Sequence, residues 1–332
     1  MRAASTIALL LAAAPVAAHA QRFDAPGNIL ISDQFNNRVI EVDPGTSTIV
    51  FQFGTNNGAQ CNPGPGAIIA PNDAERLRHG MTLMPGTGTS TCADNRVIVV
   101  DKTGRIVWQY GQAGVTGSGR NELNVPVFAV QTTDGNFLIT DQGNNRIIEV
   151  DSLTHHIIWS YGPASGNGAL NSPNSAEELR NGDILIADEN NSRVLEIDRA
   201  GTIVWQYSQG LNVVGFASRL ADGDTLIADS GNNRIVEIDR SGGVPFQCYT
   251  NAAQGSNANP NPTGALRLVD GNTIIADQFN NRVIVVDPQC NLLYQYGQTN
   301  VAGNGANQLN APYSATVIGQ YVGVTPPPRS WK

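Results

Sequence analysis

Histidine is the side chain to seek first, because its ring carries protons near neutral pH and ligates metals. The chain has four: His19, His79, His155 and His156. His19 lies in an apolar N-terminal stretch. His155 and His156 sit together in a turn between two strand-like segments. His79 is left, in NDAERLRHGMT, with Asp73 and Glu75 a few residues before it. His79 with Asp73 or Glu75 could form an acid–base pair for a lyase or hydrolase. One His is not a three-His zinc site, so no metal is expected. The sequence has no Gly-x-Ser-x-Gly elbow, phosphate loop or Cys–His nucleophile pair.

The most regular chemistry is the spacing Asp-x4-Arg-x4-Asp. It occurs with Asp33 and Arg38, Asp141 and Arg146, Asp188 and Arg193, Asp229 and Arg234, and Asp277 and Arg282. One reading is a ring of carboxylates around a central cation. The other is local: each Asp bonds the Asn-Asn turn that follows and pairs with its Arg. Near-identical placement in nearly every copy favours the local reading. One departure from the repeat is DQFNN, found in two copies only. It puts Phe35 and Phe279 at turn tips, flanked by Gln34 and Gln278. Two apolar rings on neighbouring tips would make a patch that a partner covers; alternatively each ring tucks against its own loop.

Those residues lie on a repeated unit. GNILISDQFNNRVIEVD starts at Gly27, and close copies start at Gly135, Gly182, Gly223 and Gly271. A decayed copy, ADNRVIVVD, ends at Asp101. A β-branched apolar run, an Asn/Gly turn, an alternating segment and a second turn lead to a last strand such as RIVWQYG. With a further strand ahead of each Gly, this makes four antiparallel strands per unit. Six such units predict an all-β, six-bladed propeller, with repeat cores near 27–54, 72–111, 124–162, 171–208, 213–249 and 262–297. LNAPYSATVIG near 309–318 matches the first-strand segment LNVPVFAV. It is expected to complete blade one from the far end of the chain, leaving no open sheet edge. Strand four repeats an aromatic pair at i and i+2, as in Trp108 and Tyr110, which is expected to pack against the next blade.

Residues 1–20 read as an export signal, with Arg2, a short apolar run and Ala18-His19-Ala20. Residues 21–332 would form the one propeller, secreted or periplasmic. Cys61, Cys92, Cys248 and Cys290 are an even set, read as two disulfides. Four Cys allow three pairings. Cys248 interrupts the aromatic pair of blade five, and a bridge to Cys290 in blade six would replace that packing; Cys61 with Cys92 follows the same logic. The net charge of −8, with 14% charged residues, argues against nucleic-acid partners. No later apolar run is long enough to insert in a membrane.

The pattern resembles the NHL repeat family. The residues are a Gly-x-Gly…Leu-Asn-x-Pro linker, seen at Leu309–Pro312, then Gly271-Asn272 and Asp277 to Asp287. The outer-strand Trp is also similar to that of pyrroloquinoline-quinone-type propeller repeats, which usually form eight blades. Members of the NHL family bind proteins, RNA or glycans, and a few are lyases or hydrolases. The long, unequal loops after strand four are rich in Asn, Gly, Gln and Ser, which suits a protein or glycan ligand. The first expectation is therefore a monomeric binding scaffold that uses its loop face, with no cofactor. A lyase or hydrolase near His79 and a cofactor-binding propeller are the alternatives.

Overall fold

The structure is a computed structural model that describes residues 22–320 of the chain's 332. The export-signal reading falls on residues 1–20, outside the described ones. The described chain folds into six four-stranded antiparallel sheets arranged as a closed propeller. Blade three shows the pattern: Pro126–Gln131, Phe137–Asp141, Arg146–Val150 and Ile157–Tyr161, each paired with the next. Strand one faces the axis and strand four the rim. Strand two is buried along its whole length, as in Ile29–Asp33. This is why these segments read as continuous β-branched runs rather than alternating ones. Strand four alternates, as in Phe246–Tyr249.

Ring closure is as expected. Pro312–Val317 adds to Ile29–Asp33, with Ile29 opposite Val317 and Ile31 opposite Ala315. Blade one thus holds both ends of the described chain. Blade two is the decayed copy in structure as well. Its first strand is only Glu75–Arg76.

The Asn-Asn segment read as a plain turn is one turn of 3-10 helix, such as Gln34–Asn36, ended by Asn37 at φ 53°. Each part has a task. Asn36 Nδ2 donates to Asp33 Oδ2 at 2.8 Å and to the Gly303 carbonyl at 2.8 Å. Asn37 takes the left-handed conformation that Asn tolerates, and its Oδ1 accepts the Ala70 N–H of the next blade at 2.8 Å. The same inter-blade latch recurs from Asn95 to Val125, Asn145 to Ser172, Asn233 to Asn261 and Asn281 to Ala311. In blade four the hydroxyl of Ser192 does this for Val213. Six latches therefore join every neighbouring pair of blades, the closure included.

The repeat Asp serves its own blade. Arg38 Nε lies 2.7 Å from Asp33 Oδ2, and Asp33 Oδ1 accepts the Asn310 N–H at 2.8 Å. Asp141, Asp188 and Asp229 accept loop N–H groups from Asn124, Asn171 and Asn212 in the same way. At Asp277 the corresponding residue is Pro260, which has no N–H to give. Blade two has lost the Asp, with Gly86 in its place, and Asp94 repairs the loss from the other side of the turn. Asp94 pairs with Arg96 and accepts the Ile69 N–H. A side chain at Gly86 would collide with that carboxylate, its Cβ lying 2.3 Å from Asp94 Oδ2.

At the other end of each interface the strand-four aromatic packs on the next blade. Trp108 meets Phe137 at 4.3 Å between centroids, and its Nε1 donates to the Ser152 carbonyl. Arginines cover several of these rings: Arg199 over Trp159, Arg219 over Trp205, Arg267 over Phe246 and Arg76 over Phe51. Each is paired with a strand-three glutamate of the preceding blade, namely Glu149, Glu196, Glu237 and Glu41. Both disulfides also cross blades, Cys61–Cys92 and Cys248–Cys290. With partners 31 and 42 positions apart in sequence, each contributes about 4 kcal/mol by restricting the unfolded chain.

Candidate functional site

The six first strands meet on the axis, and their side chains nearly fill it. Phe128, Phe216 and Tyr313 project inward among Asn72, Asp73, Glu75 and Asn174. The space left is about 30 Å³, enough for a water or two. Sites for organic cofactors need several hundred cubic ångströms. An axial quinone or nucleotide does not fit these residues.

The loop end of the axis is closed by amides from the position directly after the repeat Asp together with Asn residues at or just ahead of the first strands. Asn261 Nδ2 donates to Gln278 Oε1 at 3.1 Å, Gln278 Nε2 to Gln34 Oε1 at 2.9 Å, and Gln34 Nε2 to Asn72 Oδ1 at 2.7 Å. On the far side Gln142 Nε2 donates to Glu189 Oε2 at 3.0 Å, and Asn174 Nδ2 to the Tyr313 hydroxyl at 2.8 Å. Burial pushes the Glu189 carboxyl up to about 7. Burial, with Glu189 adding to it, pushes the Tyr313 phenol well above its ordinary range. Gln142, Glu189 and Ser230 were missed from sequence. Their signal is that the residue after each repeat Asp is polar in all five full copies.

Gln34 and Gln278 thus lie beneath the surface, bonded to each other, and Phe35 and Phe279 stand above them. The two rings are 42% and 37% exposed. Their backbones are pinned. The Phe35 N–H donates to the Asn310 carbonyl at 3.0 Å and the Phe279 N–H to the Pro260 carbonyl at 2.8 Å. The loop after strand four of blade one lies so close that a Cβ at Gly58 would sit 2.0 Å from the Phe35 carbonyl oxygen. Neighbouring blades therefore hold two apolar rings in solvent on a rigid base.

The axial carboxylates form a second cluster. Asp73, just ahead of strand one, and Glu75, at its start, both line the axial space. Burial pushes Asp73 up to about 7. Burial, then the nearby charges of Asp73 and Glu177, push Glu75 well above the usual carboxylate range. His79 does not join them. It is exposed in the turn after this strand, at φ 62°. His155 and His156 lie on a turn between strands three and four, where Arg120 Nη2 approaches His156 Nε2 at 3.1 Å. The larger cavities, about 480 Å³ near Arg76 and Arg78 and about 290 Å³ near Arg219 and Arg240, open away from the loops. Among the described residues, Asp222, Asp224 and Glu237 are near enough to share an ion, but Glu237 is already paired with Arg267.

The raised carboxyls give a pH prediction. Asp73 and Glu75 have folded values above their unfolded ones, so the stability they add is full below the ordinary carboxylate range and is lost as pH rises through their raised values, about 7 for Asp73. Acidifying from pH 8 to 5.5 is expected to raise the melting temperature. Glu75→Gln is expected to flatten that slope and to gain on the order of 1 kcal/mol at pH 8. Melting curves of both proteins across this range check it.

Residues 93–303 match a PQQ-type repeat model described as outer membrane protein assembly factor BamB. No curated protein matches the chain. Among solved structures, a Bacteroides caccae protein of unknown function is 14% identical at a TM-score of 0.63, covering 88% of this chain and 98% of that one. Kuenenia stuttgartiensis hydrazine synthase is 16% identical at 0.53, covering 79% and 74%. A streptogramin B lyase is 16% identical at 0.52, covering 74% and 73%. At these identities the structures share the propeller fold with this chain and nothing finer. The two disulfides and the matched family fit an extracytoplasmic protein. With residues 93–303 matched, about two thirds of its length, the chain belongs to the BamB-type family of propeller repeats.

Proposed function

We propose that the protein is an exported binding scaffold that takes a protein or glycan on its loop face, through Phe35 and Phe279. The supporting observation is that these two exposed rings stand on adjacent blades over a buried amide network. Exposed aromatics on a rigid base lose little entropy when a partner covers them, which makes them good anchors. The filled axis favours a surface ligand over an axial one. An NHL-type unit agrees with the linker and turn residues quoted above, and such propellers act as binding modules.

The test uses the folded, disulfide-bonded protein as bait against culture supernatant, beside Phe35→Ser/Phe279→Ser. Capture by the native protein and not by the variant supports the reading. Equal capture by both overturns it.

A second reading, a lyase or hydrolase in blade two, is favoured by Asp73, whose carboxyl is pushed by burial up to about 7, the range that suits a general acid–base. Turnover that survives Asp73→Asn with His79→Ala would remove that reading.

A further inference from the structure

Charge is divided unevenly between the two faces. The chain has 20 Lys and Arg and 28 Asp and Glu. The six loops that follow strand four, however, contain only Arg120 and Glu122 as ionisable side chains besides the disulfide-bonded Cys61. Arg120 reaches His156, in a turn on the other face. The Glu122 carboxylate accepts the Gly119 N–H within its own loop. The repeat Arg side chains at the loop bases are bound to Asp carboxylates and loop carbonyls, as Arg193 is to Asp188, Asn167 and Ala169. By contrast, exposed Lys102, Arg105, Asp134, Arg180, Asp222 and Asp270 all lie in turns on the opposite face.

The charge-free region is richest around the two rings. Loops 55–71, 250–263 and 298–311 surround Phe35 and Phe279 and carry no Asp, Glu, Lys, Arg or His. They present exposed amides, among them Asn57, Asn62, Asn251, Gln254, Gln298 and Asn300. An amide both donates and accepts, as a sugar hydroxyl does. An aromatic face offers apolar area of the right size for the C–H face of a pyranose. Without fixed charge nearby, an ionic partner gains nothing to offset the desolvation of its own charge.

We infer that the loop-face ligand is a neutral polysaccharide, its sugar rings stacked on Phe35 and Phe279 and its hydroxyls bonded to the surrounding amides. This rests on the loop-face reading and narrows it to one chemistry.

The test measures retention of the folded protein in native gels containing dextran, laminarin or xyloglucan, with alginate as the anionic control, and co-sedimentation with cellulose and chitin. At least one neutral polymer is expected to bind, with affinity unchanged within about twofold between low and molar salt, because no ion pair is there to screen. Phe35→Ala/Phe279→Ala is expected to weaken that binding by at least about 100-fold with the melting temperature unchanged. Binding to alginate alone, or strong salt sensitivity, overturns the inference. If every polysaccharide fails but a supernatant protein is captured and then lost on the double substitution, the glycan inference falls and the loop-face reading stands. If no binding of any kind depends on the two rings, both fall.

Discussion

Arg38→Ala is expected to destabilise the propeller by about 3–5 kcal/mol, the cost of leaving a buried carboxylate without its cation. Both side chains are almost fully buried, and Arg38 Nη2 also donates to the Gln308 carbonyl of the closing segment at 3.2 Å. The substitution therefore weakens blade one where the two chain ends meet. For a domain of this size the melting temperature should fall by about 5–8 °C. Arg234, whose side chain is 18% exposed, should cost less when truncated, because water can reach Asp229. Asp33 already sits above its ordinary range through burial, opposed by Arg38. Without Arg38 it should rise further, so the deficit of the variant is expected to shrink as pH falls. Urea melts of Arg38→Ala and Arg234→Ala at pH 8 and pH 5 check the ranking and the slope together.

The repeat made the fold legible because one blade's constraints are written six times. Blade number, closure by 309–318 and the outward aromatics follow from alternation, and Cys248 with Cys290 from an interruption of it; the alternation does not choose a partner for Cys61, which lies in a loop. The spacing of Asp33 and Arg38 identified the pair itself, since strands two and three must turn within it. Several other features could not be read this way. Asp94 stands two residues before Arg96, not five, and only the fold brings it to the place that Gly86 vacates. The Glu149–Arg199 and Glu237–Arg267 pairs join different blades, at separations that vary with the loops. Gln34 and Gln278 look like surface neighbours of the Phe residues in sequence. In space the 3-10 turn directs them to the axis and the rings outward. The acid–base pairing considered for His79 failed to assemble for a similar reason. Asp73 and Glu75 point to the axis, while the turn carries His79 out to solvent.

The second large effect concerns binding rather than stability. Phe35 and Phe279 already keep much of their surface in water, so Phe35→Ser with Phe279→Ser removes little buried area. Exposed substitutions of this kind change stability by within about 0.5 kcal/mol each. A ring covered by a ligand behaves differently, since truncating a central aromatic anchor costs about 2 kcal/mol or more. Two such losses correspond to at least about a 100-fold weaker complex, as each 1.4 kcal/mol is tenfold. The buried bond between Gln278 and Gln34 is untouched by the change, so the loop face keeps its shape. The most direct measurement is therefore a paired one on the native protein and the Phe35→Ser/Phe279→Ser variant: melting temperature, and affinity for whichever ligand the native protein retains. Unchanged melting with at least about 100-fold weaker binding is the predicted result, and a variant that melts and binds like the native protein would contradict the account.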